Sequence, residues 1–294
     1  MKKPESNKWT TVIIVLLVLF VLGWFFSKLI ALAAGDIETG NVAIVPVAGT
    51  IFTSDGGFFE GVALSGDIVE QIEAADANPE IRAIILAIDS PGGAPVASSE
   101  VATAISRVNK TTVAWIRESG ASGAYWIASA TDYIVADPLS ITGSIGVFGS
   151  YLDFSGLMAD FNVTYERLVS GKYKDTGVPF RKLTDEERRL LQKKIDLMHE
   201  AFKEAVAKNR GMTRSEIEAL ATGEFFLGME AKGAGLVDEL GGKQEALGYI
   251  ERTLKISAEP VLYQHEPTFL EVLSQFAASF NPRVRVSGTQ AQLS

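Results

Sequence analysis

Cysteine is absent from the 294 residues, and histidine occurs only twice, at His199 and His265. The first absence excludes structural disulfides and cysteine-based metal sites, and it fits an extracytoplasmic location without requiring one. His199 has neither an HExxH pattern nor a second ligand at metal-binding spacing, so no metal and no cofactor is expected. Basic charge is also short. The 27 Lys and Arg against 36 Asp and Glu give a formal charge of −9, which argues against nucleic acid as a main partner because neutralising phosphates needs concentrated Lys and Arg. No internal repeat is visible. Apolar residues are plentiful: 47% hydrophobic content allows one substantial core, or one core plus a membrane span, and leaves two full domains crowded.

The longest apolar run lies between Thr10 and Ala34, with Val12 to Phe26 free of charge. It is long enough to cross a bilayer as a helix. Lys2, Lys3 and Lys8 precede it and Asp36 and Glu38 follow it, so the positive-inside rule expects residues 1–9 in the cytoplasm, 10–34 as a transmembrane anchor, and the bulk of the chain outside. Lys28 weakens the outer boundary. Ala31-Leu-Ala33 is an A-x-A pattern that a signal peptidase could cut, leaving a secreted product, but the run is longer than a usual signal-peptide core.

From Asn41 the pattern turns to alternating strands and helices, the mark of an α/β domain. Val42–Val47, Ile84–Ile88, Thr112–Ile116, Tyr133–Ala136 and Thr164–Val169 read as strands. Ile68–Ala77, Pro95–Val108 and Ala121–Ala130 read as helices. The clearest helix runs from Thr184 to Arg210. It opens on the capping box Thr184-Asp-Glu-Glu187, carries the apolar stripe Leu191, Ile195, Met198, Phe202 and Ala205, and stops at Gly211. The glycine-rich loop Thr53–Gly61 holds Phe58 and Phe59, which could fold inward or form a lip that touches substrate or lipid. Residues 258–294 form a C-terminal extension in which Phe269, Leu270, Leu273, Phe276, Ala277 and Phe280 could make an amphipathic helix.

Three stretches carry candidate chemistry. Gly120-Ala-Ser-Gly-Ala-Tyr-Trp126 sets Ser122 between small residues near the start of an apolar helix, where the positive end of the helix dipole favours developing negative charge. Asp89-Ser-Pro-Gly-Gly-Ala94 follows a buried strand, and its glycines let backbone N–H groups approach a reacting carbonyl. Ser170-Gly-Lys-Tyr-Lys-Asp175 offers lysines, and a desolvated amine is one of the few bases able to replace histidine. Each stretch alone has an ordinary reading as a packing serine, a turn or surface lysines. Lys172 and Lys174 are two apart, so an extended segment points both to one side and spacing does not separate them.

The ordered set resembles the signal peptide peptidase A family of the ClpP/crotonase superfamily. The matching motifs are Asp89-Ser-Pro-Gly-Gly93, Gly120-Ala-Ser-Gly123, Asp132-Tyr-Ile-Val-Ala136, Thr142-Gly-Ser-Ile-Gly-Val147 and Gly171-Lys-Tyr-Lys-Asp175, with a looser likeness over residues 40–257. The resemblance implies an α/β domain of ClpP/crotonase-like repeated β-β-α units behind an N-terminal transmembrane helix. It also implies a serine endopeptidase with a Ser/Lys dyad, cleaving remnant signal peptides and other small hydrophobic peptides. On the matching positions it makes Ser122 the nucleophile, Lys174 the base, the N–H groups of Gly93 and Gly123 the oxyanion hole, and Ser144 the residue that orients the lysine. Longer relatives carry serine and lysine in different tandem halves; this short chain carries both, which implies a ring-like homo-oligomer. A second lysine at 172 departs from the pattern, and its like charge could act on its neighbour. Two other readings stay open: a crotonase-like acyl-CoA enzyme, which needs acidic catalytic residues and a CoA-phosphate site, and a non-catalytic membrane scaffold. A Ser-His-Asp triad through His199 or His265 is the remaining enzymatic alternative.

Overall fold

The computed structural model describes residues 12–13, 15–24, 40–54 and 61–263. Residues 1–39 and 40–294 form separate compact units. In the first, residues 12–13 and 15–24 are helical with exposed side chains. Among the described residues no helix is long and apolar enough to cross a membrane. The remainder of the Thr10–Ala34 run, most of the Thr53–Gly61 loop, and the Phe269–Phe280 stripe with His265 lie outside the described residues.

The second unit is an α/β fold around a mostly parallel sheet. Its central strands are β1 (Val42–Ala48), β4 (Ala83–Ser90), β5 (Thr111–Ala121) and β6 (Tyr133–Ala136). The sheet continues to β10 (Pro260–Leu262) beside β1 and to β9 (Glu239–Leu240) beside β6. A small parallel pair, β2 (Thr50–Phe52) and β3 (Val62–Leu64), stands apart. The strands read as continuous apolar runs because both faces are covered. Ala43, Val45, Val47, Ile84, Leu86 and Ile88 pack on one side, toward α1 (Ser65–Ala77), α2 (Pro95–Ile105), α3 (Gly123–Ser129) and the long α5 (Asp185–Arg210). Val42, Ile44, Ala83 and Ile85 alternate to the other side, where Ala246, Leu247 and Ile250 of α8 (Lys243–Leu254) meet them. Each such fully buried aliphatic side chain contributes about 1.5–3 kcal/mol.

Strand β5 does two jobs. Up to Ile116 it pairs with β4 and β6. The β4–β5 register then shifts between Ile88 and Ser90, and Ser119–Ala121 pair with β7 (Ile141–Gly143). A bulge bends a strand and increases its twist, so the far end of β5 leaves the main sheet line, and Ser122 is the next residue. The remaining elements are α4 (Ser155–Asp160), α6 (Arg214–Leu220), β8 (Phe225–Leu227), which pairs antiparallel with β7, and α7 (Gly228–Gly233).

Three readings need correction. Thr164–Val169 is not a strand: the segment has no sheet neighbour, and Leu168 is 95% exposed. Strand propensity without a partner edge does not make a strand. The helix expected over Ala121–Ala130 starts only at Gly123, because Ala121 is still paired in β5. Of the apolar stripe of α5 only Phe202 is fully buried; Ile195, Met198 and Ala205 are half-buried and Leu191 is exposed.

Candidate active site

Ser122 sits between the end of β5 and the start of α3 with φ 53° and ψ −124°. This is the first central position of a type II′ turn, a conformation dominated by glycine. It persists because both sides are anchored: the Ser122 N–H donates to Gly143 O of β7 at 2.8 Å, and its carbonyl accepts from Trp126 N at 3.0 Å. A serine held in such a strand-to-helix corner has the backbone geometry of a nucleophile elbow. Its hydroxyl has no hydrogen-bond partner among the described residues.

The Pro91-Gly-Gly-Ala94 turn presses against this corner. Gly92 has φ +102°, and a Cβ there would lie 2.7 Å from Gly123 N and 2.9 Å from Ser122 Cβ. A Cβ on Gly123 would meet Ser98 Oγ at 2.2 Å and Gly93 N at 3.2 Å. The two stretches therefore approach as closely as backbone allows, and only glycine fits at the contact. Gly93 is fixed from behind by the hydrogen bonds Ile51 N to Gly92 O (3.0 Å) and Ala94 N to Ile51 O (2.8 Å). Neither the Gly93 nor the Gly123 N–H has a hydrogen-bond partner among the described residues, which leaves two converging donors beside the Ser122 hydroxyl.

These groups open onto a groove of about 850 Å³ whose lining includes Phe52, Gly93, Ser122, Ser144, Val147 and His199. Ser144 also has a positive φ, 51°. Its N–H donates to Glu224 O at 2.9 Å and its hydroxyl to Gly223 O at 3.3 Å. A smaller hollow of about 90 Å³ adjoins Ser122, walled by Pro95, Trp126, Val147, Phe148 and Phe202. Trp126 and Phe202 stack with centroids 4.9 Å apart, making a firm apolar wall. An apolar side chain fits such a hollow; a charged one would be desolvated there without a partner.

Ser122, Gly93, Gly123 and Ser144 thus come together, and Lys174 does not join them. It lies in the exposed turn Gly171–Thr176 and is not among the groove's lining residues. Its neighbour Lys172 pairs with Glu186 at 2.6 Å, and this partner raises the Lys172 ammonium above the usual lysine range. The like-charge influence considered for Lys172 is therefore offset by an acid at contact distance. His199, the triad candidate carried by the long helix, reaches the groove. Its Nε2 meets Ile145 O at 3.2 Å, and no carboxylate contacts the ring among the described residues. A Ser-His-Asp relay lacks its orienting acid there. The aromatic wall was missed, since Trp126, Phe148 and Phe202 are far apart in sequence and no local pattern joins them.

Comparison with known proteins shows that residues 104–257 match Peptidase family S49. The chain is 35% identical over 193 residues to "Putative protease MJ0651" of Methanocaldococcus jannaschii, covering 65% of this chain and 61% of that one. It is 30% identical to "Putative signal peptide peptidase SppA" of Enterococcus faecium, covering 69% of this chain and 60% of the relative. "Protease 4" of Haemophilus influenzae is 32% identical over 215 residues, covering 72% of this chain and 34% of the relative. The matches therefore span between 34% and 61% of the length of these relatives.

Proposed function

The chain belongs to Peptidase family S49, and from that premise we propose that it is a membrane-anchored serine endopeptidase in which Ser122 is the nucleophile and Lys174 the general base. Its substrates are short apolar peptides such as remnant signal peptides, and its architecture is that of the ClpP/crotonase superfamily. The observation that carries the reading is the Ser122 corner: a hydroxyl on a strained backbone beside two N–H groups, none of the three with a hydrogen-bond partner among the described residues.

In this mechanism Ser122 Oγ attacks the scissile carbonyl while its proton passes to the neutral Lys174 amine. The carbonyl oxygen becomes an oxyanion held by the N–H groups of Gly93 and Gly123, each worth about 3–4 kcal/mol when it acts on the transition state. The C–N bond breaks as the Lys174 ammonium returns the proton to the departing amine. Water then attacks the acyl-enzyme, again giving its proton to the amine, and the acid product and free Ser122 are released. Ser144 orients the lysine. The hollow walled by Trp126 and Phe202 takes an apolar substrate side chain.

Lys174 is off the groove of its own protomer, so in this reading the amine reaches Ser122 from a neighbouring copy in a homo-oligomer. The exposed Phe148, Phe161 and Leu168, at 89%, 73% and 95%, supply apolar surface for such a contact. The catalytic unit faces the extracytoplasmic side of the membrane, behind the 10–34 anchor. The acyl-CoA reading is weaker because, among the described residues, no carboxylate lines the groove.

Intact-mass analysis after treatment with an acyl phosphonate tests the reading. One phosphonyl adduct is expected on the wild type and none on Ser122→Ala. Equal labelling of both, or labelling of neither, would overturn it.

A further inference from the structure

The turn that carries Lys174 is tied down at nearly every other position. The Lys172 ammonium and the Tyr173 hydroxyl both contact Glu186 at the start of α5. The Lys172 carbonyl accepts from Arg167 Nη2 at 3.3 Å. Thr176 Oγ1 donates to Glu187 Oε1 at 3.1 Å. The Asp175 carboxylate receives Arg167 through Nε at 2.7 Å and Nη2 at 2.8 Å, and Arg181 Nε at 3.0 Å. Arg181 in turn forks onto Glu187, with Nη2 to Oε1 at 2.6 Å and Nη1 to Oε2 at 2.9 Å, and Nη2 also reaches the Asp175 carbonyl at 3.3 Å. Glu187 belongs to the capping box of α5, and α5 is rooted in the core through Phe202 and Val206. From Lys172 to Thr176, Lys174 has the one side chain with no partner among the described residues.

The contrast with the surroundings is informative. The segment from 163 to 184 has no strand or helix, and Leu168 in it is 95% exposed. Yet the Asp175 and Glu187 side chains are only 10% and 5% exposed. Sequestering Asp175, Glu187 and the 20%-exposed Arg181 beneath an otherwise open segment is costly unless all are paired with good geometry, and here they are, with the more exposed Arg167 closing the cluster from outside. We propose that Arg181, together with Arg167, Asp175 and Glu187, is a positioning cluster that clamps the Lys174 turn to the amino end of α5 and presents its amine to a reacting site. The inference rests on the dyad reading above. Its physical basis is that a general base must be held in a near-attack geometry, where a displacement of about 1 Å costs about 100-fold in rate.

The test uses the full chain in detergent, a chromogenic apolar peptide, and the variants Lys174→Ala, Asp175→Asn, Arg181→Met and Arg181→Lys. Lys174→Ala is expected to be inactive. Asp175→Asn and Arg181→Met are expected to lower kcat by about 100-fold with KM changed by less than about twofold, because they misplace the base without touching the substrate groove. Arg181→Lys, which keeps the charge and loses the fork, should recover part of kcat. Amide exchange in residues 171–176 should accelerate in the two disruptive variants while sedimentation is unchanged. Wild-type kcat in Asp175→Asn and Arg181→Met beside an inactive Lys174→Ala would overturn the positioning role and leave the dyad standing. An active Lys174→Ala would overturn the dyad itself. Should Arg181→Met fail to fold, the isosteric Asp175→Asn decides alone, and a loss of activity there that merely follows loss of assembly also overturns the inference.

Discussion

Ser122→Gly should be more stable than Ser122→Ala, although both lack the proposed nucleophile. Serine and alanine must both hold φ 53° and ψ −124° at this corner, a region that costs a residue with a Cβ about 1–3 kcal/mol and costs glycine almost nothing. Glycine gives back about 0.5–1 kcal/mol through the greater freedom of its unfolded chain. The difference left in favour of Ser122→Gly is about 0–2.5 kcal/mol, or up to about 10 °C in Tm for a domain of this size. No hydrogen bond is lost in either variant, because the Ser122 hydroxyl has no partner among the described residues, so Ser122→Ala itself should stay close to wild type. Differential scanning calorimetry of the three proteins in one detergent, at one protein concentration, measures the difference directly. A lower Tm for Ser122→Gly than for Ser122→Ala would refute the strained corner, and with it the argument that the fold holds this residue under load for chemistry.

Phe202→Ala should destabilise the protein by about 3–5 kcal/mol, because Phe202 is 2% exposed and stacked on Trp126; urea denaturation reads the loss, and a change under 1 kcal/mol, about a methylene's worth, would contradict the packing. The Asp175 carboxyl is held well below the usual carboxylate range by Arg167 and then Arg181, and that of Glu187 by Arg181 and then the Thr184 N–H. Depressed carboxylates stabilise fully above their unfolded values, about 4, and lose that contribution as pH falls through the lower folded values. The charge cluster should accordingly contribute a constant amount from about pH 5 upward and fade only in acid below about pH 4. Asp175→Asn should show a smaller acid loss of Tm than wild type, and an identical pH dependence would count against the cluster. Protease added to spheroplasts should reach residues beyond Gly40; complete protection there would contradict the proposed orientation of the anchor.

Much of the fold could be read locally. The apolar runs of β1, β4 and β6 are strands because they are buried on both faces. The Thr184-Asp-Glu-Glu187 capping box begins α5 and Gly211 ends it in the left-handed conformation, as the residue types require. The glycines around Ser122 were also legible, since a close approach of two backbones demands residues without a Cβ. Thr164–Val169 shows the limit of such reading, because its strand-like composition has no edge to pair with.

Legible in the chain alone are therefore the central strands, the main helices and the residue types at the corner: a serine between glycines, a Pro-Gly-Gly turn after a buried strand, a lysine before an acid. The tertiary structure alone decided how they meet. The register shift in β5 swings its end onto β7 and sets Ser122 at positive φ. Packing of α5 brings His199 and Phe202 to the groove from some 80 residues further along the chain. Ion pairing ties the Lys174 turn to α5, away from the residues that line the Ser122 groove. Local propensity acts through near neighbours in the chain, whereas the first two outcomes depend on contacts between distant segments, which form only when the sheet and its covering helices are in place, and the third on ion pairs between side chains 6 to 14 residues apart.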